Sequence, residues 1–195
     1  MRAMKLMTLG AMMLAASAVA AQNPPARIGG PAAPPMVLTT SAWPDGTDIP
    51  VKYTQAGDQV SPEMKWTNAP PGTVSFVVLM HDPDVALNGT TDDQLHWLVW
   101  NIPGTATGLP EHVPQGSQLQ DGSLQVSATG PVYRGPGAPA TGPKHHYTIE
   151  VFALDAKLYV QPAATWQETR ANVVKAMQGH VRGKAVYAGL FHRPQ

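Results

Sequence analysis

The 195 residues carry 13 Lys plus Arg against 13 Asp plus Glu, with no run of either sign. The chain therefore lacks the extended field that draws a protein to nucleic acid or to an acidic membrane surface. There is no cysteine, which excludes a disulfide framework and a lipid-modified N-terminal Cys, so an apolar core has to hold the fold unaided.

Taken in order, residues 1–20 read as a secretory signal peptide, with Arg2 and Lys5 ahead of an apolar stretch that closes on Ala18-Val19-Ala20. Residues 21–36, opening on AQNPPARIGGPAAPP, read as a Pro/Gly-rich tether with little to bury. Residues 37–195 form the expected domain. Cleavage near Ala20 leaves about 175 residues, enough for one domain burying roughly 70% of its unfolded surface. Short apolar runs alternate there with turn-rich pieces such as NAPPGT and NIPGTATGLP, and 20 Pro and 18 Gly punctuate the chain. That pattern predicts a mainly β domain.

SFVVLMH (75–81) and LHWLVWNI (95–102) are apolar on both parities, as expected of central strands covered on both faces. HHYTIEVFALD (145–155) alternates, so His145, Tyr147, Ile149, Val151 and Ala153 share one face, the core side, and His146 points away. TWQETRANVVKAMQGH predicts a helix opened by Thr165 and Glu168 at capping-box spacing. Trp166, Val173, Val174 and Met177 fall on roughly one of its faces, and Gly179 closes it. KAVYAGLF is the expected last strand. Trp43, Trp66, Trp97 and Trp100 have no basic groove beside them and read as packing residues.

Three pieces carry possible chemistry. Asp82-Pro83-Asp84 stands at the mouth of a buried strand, where carboxylates can converge on a ligand; it also fits a turn in which each Asp accepts from backbone N–H groups. His96 opens the next strand, and a lone His before Trp also fits a packed core residue. The Gly/Pro loop GPVYRGPGAPATGPKHHY (130–147) delivers Tyr133 and His145 to a strand start, and glycine there lets backbone approach a ligand closely.

In these pieces and their order, the chain resembles the phosphatidylethanolamine-binding protein family, in particular its bacterial Raf-kinase-inhibitor-like branch. The resemblance spans residues 37–192 through YTQAGDQVSPEMKW, APPGTVSFVVLMHDPD, LHWLVWNIPG, GLPEHVPQG, GPVYRGPGAP, HHYTIEVFALD and MQGHVRGKAV, in that order. It implies a two-sheet antiparallel Greek-key β-sandwich with a short C-terminal helix. It also implies a small anion pocket lined by Asp82, Asp84, His96, Tyr133, Gly135, Pro136, His145 and Tyr147, taking phosphate, acetate or a phospholipid headgroup without metal or cofactor. Val85-Ala86-Leu87 after the DPD motif and Gly137-Ala138 in the loop depart from the family pattern, which predicts an altered pocket rim.

Two carboxylates repel an anion unless something offsets them. The expected arrangement therefore has His96, His145 and loop N–H groups facing the ligand, with the aspartates orienting and charging both imidazoles. One Asp would alternatively hold an ammonium group. The expected protein is exported, periplasmic or secreted, not stably inserted in a membrane, and not an enzyme. The rival readings are a metal-assisted hydrolase using His81, Asp82, Asp84, His96 and His145, and an interaction module restraining a protease or other hydrolase of the envelope. A homodimer is a further compatible partner state.

Overall fold

The computed structural model describes residues 34–195. The signal peptide expected over 1–20 and the tether through residue 33 lie outside the described residues. Met36, the last residue of that expected tether, is buried in the core.

Among the described residues, nine strands and one α-helix follow in chain order: β1 (Val37–Thr39), β2 (Thr47–Asp48), β3 (Met64–Thr67), β4 (Ser75–Asp82), β5 (Gln94–Pro103), β6 (Gly108–Leu109), β7 (Leu124–Val126), β8 (His145–Leu154), α1 (Trp166–Met177) and β9 (Val181–Phe191). The long strands fall where the apolar runs predict them. Of the strands of two to four residues, β3 alternates, with Met64 and Trp66 buried and Lys65 and Thr67 exposed; those of two or three are too short to show a period.

β1, β3 and β6 make a small antiparallel sheet, and the large sheet runs β2-β9-β8-β4-β5-β7. Within the large sheet, β8-β4-β5-β7 has the Greek-key order: three strands in sequence and a fourth that returns by a long connection to lie beside the first. One pair departs from the antiparallel rule. β2 lies parallel to β9 through Thr47 opposite Gly189 and Asp48 opposite Leu190, a contact made by a strand that reaches the sheet edge from a loop and not from a hairpin.

Two apolar layers explain why β4 and β5 carry no alternation. Phe76, Val78, Met80, Trp97 and Val99 face the small sheet together with Tyr147, Ile149 and Val151 of β8. Val77, Leu79, Leu98 and Trp100 face the other way, against Leu158 and the α1 residues Val173 and Met177. All four tryptophans expected to pack are buried. Asn101, in the left-handed region at φ 60°, fastens the outer layer: its amide donates to the Leu158 carbonyl at 2.9 Å and accepts from the Leu158 N–H at 2.8 Å.

In α1, Thr165 caps the first turn by accepting from the Glu168 N–H at 3.2 Å. The buried face consists of Thr169, Val173 and Met177, with Trp166 half-buried. Val174, expected on that face, is exposed, because successive helical residues turn by about 100° and only Val173 meets the sheet. Arg170 of the same helix pairs with Asp93, whose carboxylate also meets His81 Nδ1 at 2.5 Å. Burial works to raise the Asp93 carboxyl, but the hydrogen bonds from His81 and Arg170 prevail and hold it at about 2. This ion pair ties the helix to the start of β5, next to the site.

Candidate functional site

The inner face of the large sheet ends in a cavity of about 140 Å³. Asp82 continues the even-numbered inner face of β4, and His145 and Tyr147 continue the odd-numbered inner face of β8. His96 arrives by a different device. Met80 pairs with Trp97 and His81 pairs with Leu95, so His96 is the extra residue of a β-bulge. Leu95 packs in the outer layer and Trp97 in the inner one, and the bulge aims His96 inward beside Trp97. The His96 and Tyr147 rings meet edge to face at 5.0 Å.

The loop between β7 and β8 closes the cavity, and it is fastened at many points. Tyr133, fully buried, donates its hydroxyl to the Tyr53 carbonyl at 2.8 Å. Gln55 donates from its backbone to Pro136 and from its side chain to Gly135, at 2.9 and 2.7 Å. Arg193 donates to the Gly137 carbonyl at 2.7 Å. The N–H groups of Gly137 and Ala138 donate to the Tyr147 hydroxyl oxygen at 3.1 and 2.9 Å. Those two loop donors, expected to face an anion, are therefore engaged inside the protein.

The polar groups divide into two pairs with different partners. Asp82, almost fully buried, accepts from the Asp84 N–H at 3.0 Å and lies 2.8 Å from His145 Nδ1. Asp84 turns outward to the backbone and ring of His146, at 2.6 and 2.9 Å. The His146 N–H is the main reason its carboxyl sits below the ordinary range. The expectation that the aspartates charge both imidazoles is corrected here. His96 Nδ1 faces the carbonyl oxygens of Arg134 and Gly135 at 2.9 and 3.1 Å, and burial lowers the ring to about 4, so His96 is neutral near neutral pH. Burial, followed by the nearby Asp82 charge, pushes the Tyr147 hydroxyl up to about 12.

Of the residues implied by the resemblance, Asp82, His96, His145 and Tyr147 line the cavity. Asp84, Tyr133, Gly135 and Pro136 are not among the lining residues, and Asp84 is exposed. Gln55, Val85, Gln94, Arg134 and the Gly137–Pro139 stretch complete the lining. Of the positions that depart from the family pattern, Val85, Gly137 and Ala138 are thus at the cavity itself, and Ala86 and Leu87 are not. Arg134 is the residue that sequence reasoning passed over. Its Nε is buried with no hydrogen-bond partner among the described residues, and it was signalled only by its place in the GPVYRGP stretch.

The five groups of the metal-hydrolase reading do not all come together. His81 projects to the helix side, toward Asp93 and Glu150, whereas His96 gives Nδ1 to the loop carbonyls and lines the same cavity as Asp82 and His145. Asp82, Asp84 and His145 do bring oxygen and nitrogen atoms within 4.8 Å of one another, but each already takes part in the hydrogen bonds above.

A model of the family described as phosphatidylethanolamine-binding protein matches residues 39–192. A UPF0098 protein of Methanothermobacter thermautotrophicus is 38% identical over 160 residues, 81% of this chain and 99% of its own. A putative lipoprotein, LppC, of Mycobacterium tuberculosis is 29% identical over 82% of this chain and 75% of its own. Among solved structures, Escherichia coli YbcL superposes with a TM-score of 0.68 at 25% identity, covering 81% of this chain and 98% of its own. The homolog CT736 of Chlamydia trachomatis superposes with a TM-score of 0.67 at 28% identity, covering 82% of this chain and 98% of its own. Sequence match and fold agree over the whole described domain, and the chain belongs to the phosphatidylethanolamine-binding protein family.

Proposed function

We propose that this protein binds a small oxyanion of the phosphate or phosphoethanolamine type in the cavity, without catalysis. The observation that carries the reading is that Arg134, whose charge is felt at His96, lines one small polar cavity together with the Asp82–His145 pair and the neutral His96. Arg134 supplies a positive charge that offsets Asp82 and a planar set of donors suited to oxyanions. A chamber of about 140 Å³ holds four or five water-sized groups at roughly 30 Å³ each, which fits a headgroup and leaves acyl chains outside. The lining contains no Ser, Thr or Cys, and its one hydroxyl, on Tyr147, is too weak an acid to serve as a ready nucleophile. The signal pattern over residues 1–20 and the lipoprotein name of one relative support a periplasmic or secreted location. Among the described residues, no helix is long and apolar enough to cross a membrane.

Isothermal titration of inorganic phosphate and O-phosphoethanolamine into the folded protein tests this reading. Saturable binding is expected, weakened at least tenfold, or about 1.4 kcal/mol, in the His145→Ala variant. Undiminished binding by that variant, or no heat from the wild-type protein at millimolar ligand, contradicts it.

A further inference from the structure

The hydrogen-bonding capacity of the cavity is lopsided. His96 Nδ1 faces two backbone carbonyls, which can only accept, so Nδ1 carries the ring hydrogen. Nε2 makes no hydrogen bond among the described residues and is the polar atom that this ring brings to the cavity lining. A neutral ring with hydrogen on Nδ1 has a bare lone pair on Nε2. None of the ionisable groups around it donates to that lone pair: Asp82 from β4 is an acceptor whose charge favours a proton on the ring but is outweighed by burial, His145 from β8 gives its Nδ1 to Asp82, and Tyr147 from β8 has burial and the nearby Asp82 holding its hydrogen. Arg134, in the loop, adds a positive charge that opposes a second proton on the ring. A fully ionised oxyanion at this spot would meet lone pair with lone pair.

We propose that the cavity selects an oxyanion that still carries a proton: a phosphate or phosphonate monoester whose P–OH donates to His96 Nε2 while its other oxygens accept from the Arg134 guanidinium. The inference rests on the oxyanion reading above and narrows it. Sulfate has the same shape and no proton at neutral pH. A phosphodiester, the linkage in an intact phospholipid, likewise has no P–OH. A phosphomonoester loses its second proton near pH 6, so the protonated form is plentiful in mildly acidic solution. Sites built around a hydrogen bond to a ligand hydroxyl discriminate against analogues lacking it, because the acceptor facing the ligand is left unpaired.

Titration calorimetry at pH 6 with four probes tests the inference: inorganic phosphate, O-phosphoethanolamine, sulfate and glycerophosphoethanolamine. The first two are expected to bind, and the last two at least tenfold more weakly. In the His96→Gln variant, whose amide can turn its NH₂ toward the ligand, the preference for phosphate over sulfate is expected to shrink. Equal affinity for phosphate and sulfate overturns the inference and leaves an anion site standing. Glycerophosphoethanolamine binding as tightly as phosphoethanolamine overturns it in favour of an ammonium group as the donor. No binding of any probe overturns the oxyanion reading along with it.

Discussion

Replacing Gly135 with alanine is expected to destabilise the domain by about 2–3 kcal/mol and to weaken phosphate binding at least tenfold. The backbone angle at Gly135 is not the reason; space is. A Cβ built there would stand 2.6 Å from the Tyr53 carbonyl oxygen and 2.7 Å from Thr54 Cα, and both are main-chain atoms that cannot swing aside. Relief requires the loop to withdraw, and the loop carries both carbonyls that hold His96 Nδ1 together with the Arg134 guanidinium. One methyl group thus reaches the site through the wall behind it. Gly137→Ala is the control. Its Cβ would meet the end of the Gln55 side chain, which can swing aside at the loss of its hydrogen bond to the Gly135 carbonyl, so a smaller cost of about 1 kcal/mol is expected. Chemical denaturation and phosphate titration of both variants measure the contrast, and equal losses in the two would contradict the role given to Gly135.

The second large effect is a dependence of stability on pH that comes from His96. Burial lowers the ring from 6.5 to about 4, so the folded protein keeps His96 neutral while the unfolded chain takes up a proton below 6.5. Between those values the unfolded state binds more protons, and stability falls as pH falls through that window. The shift corresponds to about 3 kcal/mol lost between pH 7 and pH 4. A His96→Asn variant places an amide N–H near the Nδ1 position, able to donate to the same carbonyls, and it cannot take up the proton. The drop in unfolding free energy from pH 7 to pH 4 is expected to be about 3 kcal/mol smaller in this variant than in the wild-type protein, measured by urea denaturation at both pH values. Equal drops would show that His96 is not held neutral by the fold.

The sequence reveals the frame of the site more readily than its chemistry. The inner parity of β8 places His145 and Tyr147 correctly because alternation is a local property of a strand. Asp82 is legible at the end of an apolar run for the same reason. His96 is legible as a candidate, but the bulge that turns it inward inserts one extra residue with no change in local composition, and only the register with β4 exposes it. The partner of each imidazole is equally non-local: the Gly135 carbonyl lies 39 residues along the chain from His96, and Gln55 reaches Gly135 across 80. Asp84 sits in the same motif as Asp82, yet its main-chain position turns it outward to His146. Arg134 lacks a motif of its own, and its significance comes from what surrounds it.

The most direct check on the central claim is a crystal structure of the protein with O-phosphoethanolamine at a concentration that saturates binding in solution. The account places the phosphate inside the cavity, within hydrogen-bonding distance of His96 Nε2 and the Arg134 guanidinium and beside the Asp82–His145 pair. A phosphate bound elsewhere on the molecule, with that cavity holding only water, would contradict it.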